Sequence, residues 1–281
     1  MDINTSPARP VPFVPLTDDR LFRSLFADPR NTDRLAVFLR AVRPEEDWDD
    51  LTVADTHAPP ERDGAKEVVL DVKVVTGTGT TVVVEVQVRP ASLGRFVYYG
   101  SKTVARQLVS GTGYDQVGRV VMIVITGFVL FGQSSRYHQR VEWHRTEDGS
   151  CQGLVTDVQV VHFLQLPLLG SDDGSAKWKW SRAFAATSWE ELDMVARTDA
   201  DIARVAALVE LYASQAAEDA KDAHDKWLWD QAWREDTARA EGREQGRRET
   251  AVGALRAGLP IEQVAQITGM TCDEVRQLDA G

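Results

Sequence analysis

The sequence predicts an α/β protein in which helices flank a mixed central β-sheet and an α-helical extension follows at the carboxyl end. Within residues 66–89, two arms rich in β-branched residues surround a Thr-Gly-Thr-Gly-Thr turn, and residues 120–125 are continuously apolar. Both patterns are typical of strands. Residues 199–253 contain no proline and consist mainly of Ala, Glu, Asp, Arg and Gln, which predicts helix.

The composition indicates a globular protein. The chain has 281 residues, 43% of them hydrophobic, which is enough to bury a substantial core. It has no run of about 18 apolar residues, and its amino terminus lacks a basic segment followed by an apolar one, so we expect a cytoplasmic protein with no membrane partner. Only Cys151 and Cys272 are present, which excludes a disulfide framework and a thiolate metal site.

The charge is unevenly distributed along the chain. The net charge of −11 argues against a protein that coats nucleic acid non-specifically. Residues 64–119, however, contain seven basic and four acidic residues. A basic patch around an acidic pair is what a phosphodiester-cutting site needs, since the phosphate backbone must be held while metal is bound. Chance variation in charge would give the same local excess.

Two helices are predicted ahead of the strands. Residues 1–16 contain four prolines and are expected to be extended and flexible. Thr17 or Asp18 can cap a helix that begins near Asp19 and has one apolar face. A second helix is predicted at about residues 32–42, followed by an acidic, proline-rich loop over residues 45–65.

The two strand arms predict a hairpin that brings two carboxylates together. In the second arm four valines alternate with mostly polar residues, which is the period of a strand with one apolar face. If residues 77–79 form a three-residue loop, Val75 pairs with Thr81 and Asp71 faces Glu85. Gln87 then lies on the same face as Glu85.

Like charges placed opposite each other on a sheet are destabilising, so this pair requires either water or a cation. Mg²⁺ is the predicted cation, because it binds through one or two carboxylates together with water and phosphate oxygens. A hairpin whose polar face is simply solvated remains the alternative.

The segment after the hairpin predicts an amphipathic helix of about residues 93–110. One face is basic and aromatic and contains Arg95, Tyr99, Lys102 and Arg106. This face suits contact with phosphates, and a solvated face with snorkelling side chains is the alternative. A strand buried on both faces follows at residues 120–126, and a further strand is predicted at residues 154–166.

The carboxyl-terminal part is predicted to be helical. His162 lies on an apolar strand face, where a histidine is expected to be a satisfied core residue. Tryptophans at positions 227, 229 and 233 in the helical arm are expected to be packing anchors or a dimer contact, so a homo-oligomer through the carboxyl-terminal helices is a possible partner. Residues 251–281 predict a small helical hairpin, with a capping box at Thr271-Cys-Asp-Glu274.

Several motifs together resemble a known family. Asp71 in a strand, a turn and then Glu85-Val86-Gln87 resembles the PD-(D/E)xK nuclease superfamily, and in particular its recombination-promoting nuclease / PD-(D/E)xK family transposase branch, in which glutamine commonly replaces the motif lysine. The segment from Asp19 to Phe26 resembles the amino-terminal D-x-x-F-K-x-x-F of that branch, with arginine in place of lysine. The segment from Arg95 to Lys102 is similar to its R-x-x-Y-Y helix.

The resemblance implies a fold and a domain division. It implies a restriction-endonuclease-like core at residues 17–190, a helical arm at 191–250 and the small tail at 251–281. It also implies a metal-dependent DNA endonuclease active in recombination or in mobile elements. A catalytically weak or inactive DNA-binding or assembly protein on the same fold remains the alternative, and an interaction scaffold built on the helices is a third possibility.

The resemblance further implies roles for individual residues. Asp71, Glu85 and the Val86 carbonyl would hold Mg²⁺, and Gln87 would complete the catalytic set with Asp71 and Glu85. Asp19 is a possible additional acidic residue, although a carboxylate that favours a helix start is an equally good interpretation. The resemblance also implies that DNA is bound by Arg95, Tyr99, Lys102 and Arg106.

Overall fold

The computed structural model describes residues 11–58, 68–108, 110–111 and 113–279, apart from the side chains of residues 58, 224–241, 243, 244 and 279. The chain forms two compact units, Met1–Gln215 and Ala216–Gly281. The domain boundaries expected at residues 190 and 250 stay a prediction.

Helices and strands follow one another in groups along the described part of the chain. The helices are α1 (Asp19–Phe26), α2 (Thr32–Val42), α3 (Leu93–Ala105), α4 (Ala176–Ala185), α5 (Trp189–Ala196), α6 (Ala200–Arg256), α7 (Ile261–Thr268) and α8 (Cys272–Asp279). The strands are β1 (Thr52–Val53), β2 (His57–Ala58), β3 (Val68–Val69), β4 (Val72–Val75), β5 (Thr81–Gln87), β6 (Val120–Thr126), β7 (His138–Glu147) and β8 (Ser150–Gln165).

The central sheet is mixed and has the strand order β1-β4-β5-β6-β8-β7. The three central strands β5, β6 and β8 are parallel, and β4 and β7 join them in antiparallel pairs. β2 and β3 form a separate two-stranded ribbon. The predicted mixed sheet with flanking helices is therefore confirmed, and β6 is the central, fully buried strand that its apolar run predicts.

One face of the sheet is covered by α1, α2, α4, α5 and the first turns of α6. The contact is dominated by a cluster of aromatic rings whose centroids lie 5.0–6.3 Å apart, formed by Phe22, Phe26, Phe38, Trp180 and Phe184. Each side chain of this kind contributes roughly 1.5–3 kcal/mol on full burial. This face forms the main core of the first unit.

The other face of the sheet is covered by α3. Phe96 packs with Met122, Val124 and Phe163 on this side. The helix approaches closely at Gly100, where an added Cβ would lie 2.9 Å from the Met122 Sδ and would collide with Gln159. Both faces of β5 are therefore buried, which corrects the alternative in which its polar face is solvated.

Two element boundaries differ from the prediction. α3 ends at Ala105, not at about residue 110, and Arg106 is its C-cap. β7 and β8 form a long hairpin from residue 138 onward, of which the sequence predicted only the strand at residues 154–166. β7 is an edge strand exposed along most of its length, so its residues lack the apolar alternation that identifies a half-buried strand.

Parts of the expected flexible segment and helical arm pack against the core of the first unit. Leu16 is fully buried, and the Trp189 indole N–H donates a hydrogen bond to the Val11 carbonyl at 2.9 Å. In α6, Ile202 and Val209 are also fully buried. Residues 1–10 lie outside the described residues.

The second unit has a small core of its own. Ala251, Val264 and Val275 are fully buried where the end of α6 meets α7 and α8. The predicted capping box is present, because the Thr271 N–H donates to the Glu274 carboxylate at 2.7 Å and the Glu274 N–H donates to the Thr271 hydroxyl at 3.3 Å. The side chains of the arm tryptophans at 227, 229 and 233 lie outside the described residues. No helix in the described part of the chain combines the length and apolar character needed to cross a membrane.

Candidate active site

The β4–β5 hairpin has the register that its sequence predicts. Val75 pairs with Thr81 and Lys73 with Val83. The turn is closed by a hydrogen bond from the Thr76 N–H to the Thr80 carbonyl at 2.9 Å, and Gly79 within it has a φ of 84°, which favours glycine. The next position of this register brings Asp71 opposite Glu85.

Asp71 and Glu85 are held together by hydrogen bonds that cross between the strands. The Asp71 N–H donates to the Glu85 Oε1 at 3.1 Å, and the Val86 N–H donates to the Asp71 Oδ2 at 2.9 Å. Each carboxylate thus accepts a hydrogen bond from the backbone of the opposite arm. The two acidic groups lie on the α3 side of the sheet, at the carboxyl end of β5, and their orientation is set by the hairpin itself.

Burial disfavours two negative charges on this pair of carboxyl groups. Glu85 is only 4% exposed, and burial, followed by the charge of Asp71, raises its pKa to about 8. Burial also raises the pKa of Asp71, while hydrogen bonds from the Val86 N–H and Arg23 act in the opposite direction. Without a cation, the pair therefore favours retaining a proton at neutral pH.

Arg23 of α1 is the direct cationic partner of Asp71. Its Nη2 donates to the Asp71 Oδ1 at 3.0 Å, and its Nε donates to the Asp19 Oδ1 at 3.1 Å. Asp19 therefore reaches the site through Arg23, and its own side chain is 70% exposed. No sequence motif predicts a role for Arg23 at the site, although its position four residues after Asp19 on one helix indicates a contact between these two.

Gln87 lies at the end of β5, and its amide is engaged by the backbone. The side-chain Nε2 donates to the Arg89 carbonyl at 2.9 Å. The side chain is half-buried. A neutral amide can donate and accept hydrogen bonds but supplies no positive charge. The charge that a lysine would bring at this position must therefore come from other residues.

The four residues predicted on the basic face of α3 have unequal exposure. Arg95 is exposed, and its guanidinium carbon lies 5.1 Å from the centroid of the half-buried Tyr99 ring. Its positive charge lowers the pKa of Glu85, which places it on the site side of the helix. Lys102 is buried at 6% exposure, whereas Arg106 is exposed beyond the helix end.

A polar cavity of about 260 Å³ adjoins this helix. Tyr99, Lys102 and Arg106 line it together with Lys73 of β4 and His57 of β2. The expected basic face is thus partly internal. By contrast, the apolar side chain of Val97 on the same helix is 52% exposed. α3 therefore packs through Phe96 and Gly100, and Lys102 and Arg106 line a cavity between the helix and the hairpin.

The donor set of the site is compatible with a hard divalent cation. Two carboxylates converge in a buried position where their own charges oppose ionisation, and a bound cation would remove that conflict. Across the described residues, no group of three or more His, Cys, Asp or Glu side chains is placed to hold a metal ion. Two carboxylates with backbone and water oxygens are a common ligand set for Mg²⁺.

Comparison with known proteins agrees with this geometry. The family described as PD-(D/E)XK nuclease family transposase matches residues 16–238, which is well over half of the chain. That range contains α1, the whole central sheet, the carboxylate pair and α3. No curated protein and no solved structure is significantly similar to the chain. The chain belongs to the PD-(D/E)XK nuclease family transposases.

Proposed function

We propose that the protein is a metal-dependent endonuclease that hydrolyses phosphodiester bonds in DNA. The observation that supports this most directly is the convergence of Asp71 and Glu85, two buried carboxylates linked to each other's backbone and flanked by Arg23 and Arg95. A structural role alone gives no reason to bury two like charges, because that arrangement is destabilising.

In the proposed mechanism Asp71, Glu85 and the Val86 carbonyl hold Mg²⁺. When bound, the cation lowers the pKa of a water molecule and neutralises charge that develops on the phosphate. Arg23 orients Asp71 and favours its ionised form, because its hydrogen bond and charge act against the rise in pKa that burial causes. Gln87 would exchange its bond to the Arg89 carbonyl for one to water or to a phosphate oxygen.

DNA would be held by the basic residues around the pair. Arg95 and Arg106 are exposed near the two ends of α3 and suit contact with backbone phosphates. Tyr99 and Lys102 line the adjacent cavity and add positive potential and an aromatic surface next to the carboxylates. These contacts are independent of base sequence, so they predict affinity that falls as salt rises.

A catalytically weak or inactive DNA-binding or assembly protein is the second candidate. It is favoured by the engagement of Gln87 with the Arg89 carbonyl and by the occupation of Asp71 Oδ1 by Arg23. Under this alternative the basic surface is retained and the pair is a remnant of the fold. Assembly through the carboxyl-terminal helices would belong to the same alternative.

Plasmid cleavage separates the two candidates. Supercoiled DNA would be incubated with the parent, Asp71→Asn and Glu85→Gln proteins in Mg²⁺ and in EDTA. We expect nicking by the parent only in Mg²⁺ and a loss of at least about 100-fold in each variant, because each removes one charged ligand. Glu190→Gln, which alters an exposed carboxylate on α5, is the matched control and should cleave like the parent.

DNA binding measured in Ca²⁺ completes the test. Equal nicking by all four proteins would reject the proposal, since it would indicate a contaminating nuclease or a different site. Binding by the parent without cleavage in Mg²⁺ or Mn²⁺ would favour the second candidate.

A further inference from the structure

A second cavity, of about 410 Å³, lies in the first unit beside the start of β7 and α4. Its lining includes Arg136, His138 and Lys177, with Tyr137 and Asp173 beside them. His138 and His162 share the sheet face that carries Leu164, which belongs to the core under α1 and α2. The cavity is therefore separate from the carboxylate pair, which lies on the α3 side.

The basic side chains of this cavity form no direct ion pair in the described part of the chain. Within the described residues, neither the Lys177 ammonium nor the Arg136 guanidinium has a hydrogen-bond or ion-pair partner. Lys177 is half-buried, and burial lowers its pKa while the charges of Asp173 and Glu45 act in the opposite direction. Desolvating an ammonium without a partner is unfavourable, so this arrangement suits an anionic ligand.

Hydrogen bonds from Arg43 through His162 to His138 determine which ring nitrogen of His138 carries its proton. Arg43 Nη1 lies 3.0 Å from His162 Nε2, and arginine can only donate, so this ring nitrogen accepts. The proton of neutral His162 is then on Nδ1, which lies 2.9 Å from His138 Nε2 and donates to it. His138 in turn carries its proton on Nδ1, for which the described residues offer no acceptor.

This series of hydrogen bonds begins at the buried, ion-paired Arg43 and ends at the neutral ring of His138. Arg43 is 6% exposed and is held by the carboxylates of Glu46 at 2.7 Å and Glu45 at 2.9 Å. Burial, followed by nearby positive charges, lowers the pKa of His138 to about 4 and that of His162 to about 2. At neutral pH the two rings therefore keep these tautomers.

The Asp173 carboxylate of the cavity already accepts hydrogen bonds from neighbouring protein groups. The only carboxylate in its described lining, Asp173, accepts hydrogen bonds from the Tyr137 hydroxyl at 3.2 Å and from the Ser175 N–H at 2.9 Å. The Lys177 ammonium, the Arg136 guanidinium and the His138 Nδ1–H remain as donors. Phosphate oxygens take charge-assisted hydrogen bonds from this combination of groups.

We propose that this cavity is a binding site for a phosphate group, distinct from the carboxylate pair. It lies at the same end of the sheet as that pair. The Tyr137 carbonyl accepts a hydrogen bond from the Gln165 N–H on β8. Gln165 is paired with Thr126 on β6, and Thr126 is paired with Gln87 on β5. Three strand spacings, or about 14 Å, therefore separate Tyr137 from Gln87. The phosphate can come from solution or from the terminus of a DNA strand.

Calorimetric titration of the full chain in EDTA tests the site without any cleavage. The probes are inorganic phosphate and a short oligonucleotide with or without a 5′-phosphate. We expect saturable phosphate binding that weakens at least about tenfold in Lys177→Met and in Arg136→Gln, because each removes a charge-assisted contact. Arg136 is exposed, so its substitution does not threaten folding.

Lys179→Met is the matched control. This lysine is on the same helix, and its ammonium donates to the Thr198 carbonyl at 3.1 Å, so its loss should leave phosphate affinity unchanged. Asp71→Asn should also bind phosphate like the parent, which makes the result independent of nuclease activity.

Preference for the 5′-phosphorylated oligonucleotide over inorganic phosphate would identify a DNA end as the source, and equal affinity would identify the free anion. Absence of saturable binding to the parent, or equal binding by Lys177→Met and Arg136→Gln, would overturn the proposal.

Discussion

Replacing Glu85 with glutamine is expected to stabilise the metal-free protein at alkaline pH and to change its stability little at acidic pH. The glutamine side chain matches the protonated glutamic acid in size and carries no ionisable group. The Asp71 N–H, which donates to Glu85 Oε1, retains a carbonyl acceptor in the variant. The substitution therefore removes the buried charge and keeps the hydrogen bond.

The magnitude follows from the pKa of Glu85, which rises from 4.5 to about 8 on folding because of burial and the neighbouring Asp71. The folded state favours the protonated form, so the associated stability is fully present below pH 4.5 and is lost as pH rises through 8. At 1.36 kcal/mol per pKa unit, the parent should lose about 3 to 5 kcal/mol over this interval. The Glu85→Gln protein should not show this loss.

The assay is urea unfolding between pH 5 and pH 9 in EDTA, followed by tryptophan fluorescence. Trp48 and Trp180 are each 1% exposed in the first unit and report its unfolding. The exposed-site control Glu190→Gln should follow the parent at every pH. Other titrating groups, including the two histidines, are the same in all three proteins.

Mg²⁺ provides the complementary measurement. At pH 8.5 it should stabilise the parent, because a cation offsets the repulsion between Asp71 and Glu85, and it should have little effect on Glu85→Gln. If the free energies of unfolding of the parent and Glu85→Gln change in parallel from pH 5 to pH 9, the inference of a buried, protonated carboxyl is wrong.

Two further predictions concern the surroundings of the pair. Gly100→Ala should lower the free energy of unfolding by about 1–3 kcal/mol in urea, because the new Cβ meets Met122 and Gln159; an unchanged midpoint would show that α3 can shift at no cost. Arg23→Met should move the acidic limb of the pH profile for Mg²⁺-dependent plasmid nicking to higher pH, because Arg23 acts to lower the pKa of Asp71. An unshifted limb in that assay would contradict a role for Arg23 in keeping Asp71 ionised.

Local patterns were enough to predict the hairpin. Alternation of valines assigned the two faces of β5, and the glycine turn set the pairing of Val75 with Thr81. Because side chains alternate with a period of two, that single pairing also placed Asp71 opposite Glu85. Capping boxes and apolar helix faces similarly identified α1 and α8.

Other features depend on residues far apart in the chain. Arg23 reaches Asp71 across 48 positions, and Arg43 reaches His162 across 119. The edge strand β7 is held by its pairing with β8, and its own residues show no strand period. The helix α3 was assigned correctly, but its orientation depends on the close approach at Gly100 and differs from the one expected from its apolar residues.

The amino-acid sequence by itself determined the order and type of the main elements, the register of the hairpin and the facing carboxylates, because these depend on side-chain period and turn geometry over a few residues. The tertiary structure decided how the carboxylates are charged. Covering both faces of β5 removes water from Glu85, and only the packed fold brings Arg23 to Asp71. Desolvation and ion pairing between distant residues depend on the packed fold, so no local sequence pattern predicts them.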